Sequence, residues 1–273
     1  MPLAVCATPI GNLDDVSLRV LEALRVADIV LCEDTRRTRI LLDRHGIGAR
    51  LLSYHRHNEA ARTADVVSRL VGGESVALVS DAGLPGVNDP GARLIAAAIA
   101  AGVAVTVLPG ASAVETALVA SGLVGDRYQF VGYLPRRMGE LRTLAEELAR
   151  WSHPVVAFES PRRLPASLRV LAESMPARPA AVCRELTKRF EEVVRGSLEE
   201  LAARFAEAPK GEVTLVLGGV QAASGGRLPD VSTEEAAAAV AELVGSGVAR
   251  KRAAEIVARL TGVSRNDLYR SSL

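Results

Sequence analysis

Three carboxylates stand where the chain leaves apolar runs: Glu33 and Asp34 after Ile29 to Cys32, and Asp81 after Val76 to Val79. The carboxyl end of a strand is where open α/β sheets place their ligands, so all three are candidates for acid–base work or for gripping a polar substrate. Glu33 and Asp34 are adjacent, and like charges side by side seldom serve stability. Arg36 follows, and two readings stay open. Either the group binds substrate or takes a proton, or Asp34 caps the next helix while Arg36 pairs with it. Asp81 lies in the loop SDAGLPGVNDPG, Ser80 to Gly91, which is longer than a plain connection needs. Gly83, Gly86 and Gly91 permit positive φ or close approach of a ligand to the backbone, while Pro85 and Pro90 restrict the chain around them. His55 and His57 are two apart, on one face of an extended segment, with Glu59 beyond. They imitate a metal set but lack a further ligand, so no metal is expected, and His55 and Asn58 are read instead as substrate-groove contacts.

The elements that position these residues follow from periodicity. Strand and helix signals alternate through the first 220 residues, the signature of α/β architecture. Val76 to Val79 reads as a buried strand of a parallel sheet, where apolar residues need not alternate. Leu3 to Ala7, Ile29 to Cys32, Leu51 to Tyr54 and Val103 to Leu108 read as further strands. Between them lie a helix capped by Asp14 or Asp15, a basic helix from about Arg36 to Arg44, one capped by Asn58 and running to Leu70, and an Ala-rich helix. A second unit opens near Tyr128 with the strand FVGYLP, then a helix over Glu140 to Arg150 and a strand over Val155 to Phe158. Pro165 to Ser174 is expected as a helix, and Ala180 to Cys183 and Val213 to Leu217 as strands. Gln221 to Leu228 is a flexible linker by composition. Two amphipathic helices, Thr233 to Val244 and Arg250 to Leu260, with a third over Asn266 to Leu268, give a tail of helix-turn-helix appearance. The domains are thus expected at 1–122, 123–222 and 229–273.

Composition narrows the class. The chain has 273 residues, 49% of them hydrophobic and 24% charged, as a soluble globular protein requires. The longest apolar stretch, Leu94 to Leu108, contains Gly102 and Thr106 and is too short for a membrane span. The N-terminus lacks a basic n-region, so no signal peptide is expected. Cys6, Cys32 and Cys183 lie in apolar runs, the pattern of buried thiols in a reducing cytoplasm. Net charge is only +1, yet Arg36 to Arg62 holds seven arginines against two carboxylates. From Arg250 to the end, six basic residues, Arg259, Arg265 and Arg270 among them, meet two acidic ones. Two basic segments on a neutral chain point to a polyanionic partner.

No GxGxxG opens the first helix and no P-loop motif occurs, which disfavours a standard nicotinamide or nucleoside triphosphate site. Instead the strands end in TPIGN (Thr8 to Asn12), CEDTRRT (Cys32 to Thr38), YHRHNE (Tyr54 to Glu59), SDAGLPGVNDPG, LPGAS, FESPRR (Phe158 to Arg163) and RELTKRFEE (Arg184 to Glu192). In order and content these resemble the tetrapyrrole methylase superfamily, and within it the bacterial ribosomal small-subunit methyltransferase I family, along essentially the whole chain. The resemblance implies two α/β domains with S-adenosylmethionine between them, a helical tail, and 2′-O-methylation of one cytidine of 16S ribosomal RNA near the decoding centre. It implies a cofactor cradle from Asp81, Ala82, Gly83 and Pro85, with Pro109, Gly110 and Ser112. Leu134, Phe158, Glu159, Ser160, Glu185, Leu186 and Thr214 would close the pocket. Glu33, Asp34, Arg36 and His55 are then expected at the reacting groups. Asn58, Arg136, Arg137, Arg162, Arg163, Arg184 and Lys188 are expected on the RNA, and no catalytic metal is implied. A cytoplasmic homodimer acting on the small subunit is the implied working form. Two alternatives stay open: a tetrapyrrole C-methyltransferase of precorrin type, and a non-catalytic ribosome-binding factor.

Overall fold

The computed structural model describes residues 2–219, 233–261, 263–264 and 267–268. The first five strands, β1 (Leu3–Cys6), β2 (Ile29–Cys32), β3 (Leu51–Ser53), β4 (Val76–Val79) and β5 (Val105–Leu108), form one parallel sheet in the order β3-β2-β4-β1-β5. β1, β2 and β4 are buried along their whole length, which is why they read as unbroken apolar runs. Their alternate side chains feed two cores. Ala4, Cys6, Val30 and Ala77 pack under α1 (Leu18–Val26) and α2 (Thr35–Arg44). On the other face Leu3, Val5, Leu31 and Leu78 pack under α3 (Glu59–Val71) and α4 (Ala92–Ala100).

The second sheet is mixed. β6 (Gln129–Tyr133), β7 (Val155–Glu159), β8 (Pro179–Arg184), β9 (Glu192–Ser197) and β10 (Val213–Leu217) stand in the order β6-β7-β10-β8-β9, and only β6 and β7 run parallel. One face is covered by α6 (Met138–Leu148), α7 (Leu164–Ser174) and α8 (Leu198–Arg204) around Leu141, Leu168 and Leu201. The opposite face carries α5 (Ala113–Ser121), whose Val114, Ala117 and Leu118 bury against Val156, Ala181 and Val216. The helix that ends at the expected boundary of residue 122 therefore belongs by packing to the second sheet.

Three local expectations are corrected. Neither Asp14 nor Asp15 caps α1; the Ser17 hydroxyl accepts from the Val20 N–H, while Asp14 pairs with Arg44 at 3.0 Å. Asn58 stands at the start of α3, but its side chain turns back, accepting from the His55 N–H at 2.8 Å and donating to the Ser53 carbonyl. β9 and α8, absent from the sequence reading, complete the second sheet and its cover. The three thiols are free and buried.

The tail is a separate compact unit. α9 (Thr233–Gly245) and α10 (Arg250–Thr261) pack on Ala236, Val240, Ala253, Ala254, Val257 and Leu268. Asp267 and Leu268 are helical; the linker Gln221 to Leu228, Arg265, Asn266, Arg270 and the Arg259 side chain lie outside the described residues. Among the described residues no helix is long and apolar enough to cross a membrane.

Candidate active site

α1 follows β1 to one face of the first sheet and α4 follows the neighbouring β4 to the other, so a crevice opens where their carboxyl ends diverge. There the TPIGN and SDAG turns are laced together. The Thr8 N–H donates to the Gly83 carbonyl at 2.8 Å, the Gly83 N–H returns to Thr8 at 3.0 Å, and the Thr8 hydroxyl donates to the Ser80 carbonyl. Gly83 holds φ +81°, and a Cβ on Gly110 would stand 2.9 Å from that of Ala7, so both turns bring bare backbone to the crevice. Between these turns and the second sheet lies a cavity of about 820 Å³, ample for a cofactor of nucleoside size.

Its walls differ in chemistry. The second sheet presents aromatic rings: Phe158 meets Phe130 at 4.9 Å and Tyr133 at 5.5 Å, both edge to face. Thr214 stands opposite Phe158 in the β7–β10 register. Asp81, Asp89, Glu115 and Glu212 line the cavity with Arg37 as the lone arginine, an acidic lining that suits a cationic ligand. Apolar rings for a base, bare backbone for close approach and carboxylates for positive charge together fit S-adenosylmethionine.

Of the expected cofactor residues, Asp81, Ala82, Gly83, Pro109, Gly110, Ser112, Phe158, Glu159, Ser160, Leu186 and Thr214 line this cavity. Pro85, Leu134 and Glu185 do not. Leu134 is packed in the core of the second sheet, and Glu185 is tied to the Glu212 N–H and to Lys188, each at 2.9 Å. The side chain of Glu159 is fully buried and accepts from Ser160, Arg163 and Ser167. It holds Arg163, which in turn donates to the Leu134 and Pro135 carbonyls at 3.1 Å. Arg163 thus clasps two strand ends, with its side chain partly exposed.

The acidic turns after β2 and β4 meet directly. The Asp34 N–H donates to Asp81 Oδ1 at 3.1 Å, and Asp81 Oδ2 pairs with Arg37 at 3.3 Å. The Asp34 carboxylate itself caps α2 and grips Arg36, which holds its carboxyl well below the usual range, so the local reading of this pair is the one realised. Glu33 is half-buried; desolvation, then the Asp81 charge, raises its pKa against Arg56 and His55. Asp89 is pushed up to about 6 by burial, then by Glu33. His55 Nδ1 is buried with no hydrogen-bond partner among the described residues, beside the Asn58 amide that meets its Nε2 at 3.3 Å.

The remaining expected RNA contacts divide. Arg136 and Arg162 are exposed, Arg137 pairs with Glu140, and Arg184 is taken by Glu192 and the Lys210 carbonyl. Lys188 bridges Glu185 and Glu212 and lines a second cavity of about 270 Å³, which shares Arg37, Asp81 and Ala82 with the first. Sequence reasoning missed Arg37, Asp89, Tyr133 and Glu212. Arg37 and Asp89 lie inside quoted motifs and Tyr133 inside the quoted strand FVGYLP, whereas Glu212 lies in no quoted stretch.

A family model for Tetrapyrrole (Corrin/Porphyrin) Methylases matches residues 2–202. A "Ribosomal RNA small subunit methyltransferase I" of Mesorhizobium japonicum is 44% identical over 274 residues, 99% of this chain and 91% of the relative. Another, of Mycobacterium bovis, is 46% identical over 98% of this chain and 93% of its own. Among solved structures, cobalt precorrin-4 methyltransferase superposes with a TM-score of 0.60 at 20% identity, over 79% of this chain and 94% of that one, a likeness of fold. Two facing sheets with a cofactor-sized crevice between them are the architecture of a tetrapyrrole methylase. The chain belongs to that family and, within it, to the ribosomal RNA small subunit methyltransferase I family.

Proposed function

We propose that this chain methylates small-subunit ribosomal RNA, moving a methyl group from S-adenosylmethionine to the 2′-oxygen of a cytidine near the decoding centre. The carrying observation is the cavity between the sheets, with aromatic rings from the second sheet and the carboxylates Asp81, Asp89, Glu115 and Glu212 in its lining, opening beside exposed arginines. S-adenosylmethionine supplies an electrophilic methyl group on a sulfonium. Phe158 and Phe130 offer the apolar face, the Gly83 and Gly110 turns admit the ligand close to backbone, and Asp81 takes a polar end. Transfer to a hydroxyl needs that oxygen in line behind the methyl group, so positioning supplies most of the rate. Arg36 and Arg37 on one side, with Arg136 and Arg162 on the other, are exposed and suited to phosphates. Glu33 and His55 follow the carboxyl ends of β2 and β3, the end of the first sheet that also carries Asp81, and in this reading they face the RNA. The acceptor hydroxyl itself separates RNA from DNA.

In this reading the working form is a cytoplasmic homodimer whose partner is the small subunit; sedimentation at micromolar concentration checks the mass. The test of the function is transfer from labelled S-adenosylmethionine to unmodified small subunits, with naked RNA in parallel and the product mapped by mass spectrometry. A single 2′-O-methylcytidine is expected. No incorporation while the cofactor still binds would overturn the reading.

A further inference from the structure

Asp89 stands on the cavity wall with a position set from both sides. Asn88 before it holds φ +62°, a left-handed backbone uncommon outside glycine and typical of functional loops. The Asn88 carbonyl accepts from the Arg56 guanidinium at 2.6 Å, which ties the loop to the turn after β3. Its side chain lies against β6, where a Cβ on Gly132 would stand 2.9 Å from Asn88 Oδ1. Asp89 therefore leaves a pinned backbone for the space lined by Asp81 and Tyr133. The charged and titratable groups that act on it are Glu33 after β2, Arg56 after β3, Asp81 after β4 and Tyr133 on β6.

We propose that Asp89 accepts the proton of the ribose hydroxyl, with Glu33 and Arg56 setting its readiness; this rests on the function proposed above. The O2′–H bond gives its proton to the Asp89 carboxylate as the O2′–CH3 bond forms. The S–CH3 bond breaks with its electron pair left on sulfur, and the proton then passes from Asp89 to solvent. Burial first, then Glu33, raise the Asp89 carboxyl to about 6, so it is ionised at neutral pH yet more basic than an ordinary aspartate.

The test uses the full chain on small subunits. Wild type is expected to lose kcat/KM on the acid side below about pH 6, and Asp89→Asn to lose at least ~100-fold in kcat with both KM values within about threefold. Asp89→Glu, which keeps the carboxylate, recovers a substantial part of the rate. A readout independent of turnover is calorimetry at pH 6 in buffers of different ionisation heat. Binding of cationic S-adenosylmethionine releases a fraction of a proton in wild type, and none from this site in Asp89→Asn. An active wild type with an Asp89→Asn rate within about threefold of it, or with proton release unchanged in the variant, overturns the assignment alone. If wild type binds cofactor and methylates nothing, the functional reading falls and the assignment with it. Should Asp89→Asn fail to fold, Asp89→Glu decides, since an acid limb left where wild type has it would show that another group accepts the proton.

Discussion

Asp81 is the residue at which the two acidic turns are joined. It receives the Asp34 backbone N–H and the Arg37 guanidinium while standing on the cofactor cavity, so its carboxylate is oriented before any ligand arrives. Preorganised charge of this kind is worth more than a free surface carboxylate. Asp81→Ala is expected to weaken S-adenosylhomocysteine binding by about tenfold, or ~1.4 kcal/mol, in titration calorimetry; an unchanged Kd would remove Asp81 from the cofactor contacts. Asp89 carries a cost of a different kind. Its folded carboxyl is raised to about 6 from an ordinary 3.8, so the fold disfavours the ionised form. The associated stability is whole below pH 4 and is lost as pH rises through 6. Asp89→Asn, which cannot ionise, should therefore exceed wild type in the unfolding free energy from urea titration at pH 8, by at most roughly 2–3 kcal/mol, with the excess vanishing near pH 4. A difference that does not change between those pH values would show that the Asp89 environment is not the source.

At the scale of elements, legibility followed burial. β1, β2 and β4 are covered on both faces, so their sequences are continuous apolar runs and were readable at once. β9 was not, because Glu192 to Ser197 is a half-buried antiparallel edge carrying Arg195 and Gly196 among its residues, and edge strands lack a clean period. α8 is only seven residues long, too short for periodicity to declare, yet it had a signal. Ser197 and Glu200 form a capping box, the Ser197 hydroxyl accepting from the Glu200 N–H and the Glu200 carboxylate from the Ser197 N–H. Ser197→Ala should cost about 1 kcal/mol of unfolding free energy. Because Leu198 and Leu201 pack in the core away from the cavity, cofactor affinity should stay at the wild-type value, and a loss of affinity would mean that α8 supports the site directly.

At the scale of the whole molecule the site is a product of two sheets, which limited what a linear reading could find. The first sheet's half was legible because Asp81, Gly83, Pro109 and Gly110 each end a strand in a motif. The other half joins Tyr133, Phe158, Leu186 and Glu212, far apart in sequence and brought together only by the order β6-β7-β10-β8-β9. Glu159, which looked like a site residue by position, is turned inward by Arg163 and Ser167, a fact no spacing reveals. Both cavities are lined wholly by residues between Ala7 and Thr214, inside the compact unit that ends at Gly219, and the tail has its own core with Arg250, Lys251 and Arg252 on α10. Cofactor binding and RNA capture should therefore separate. A chain stopped after Gly219 is expected to bind S-adenosylhomocysteine with a Kd within about twofold of the full chain, since no lining residue is lost. Its methylation of small subunits at limiting substrate should fall by roughly tenfold, with a shallower dependence on salt because fewer cations reach phosphate. Equal kcat/KM and equal salt slope for the two chains would show that the tail takes no part in holding the RNA.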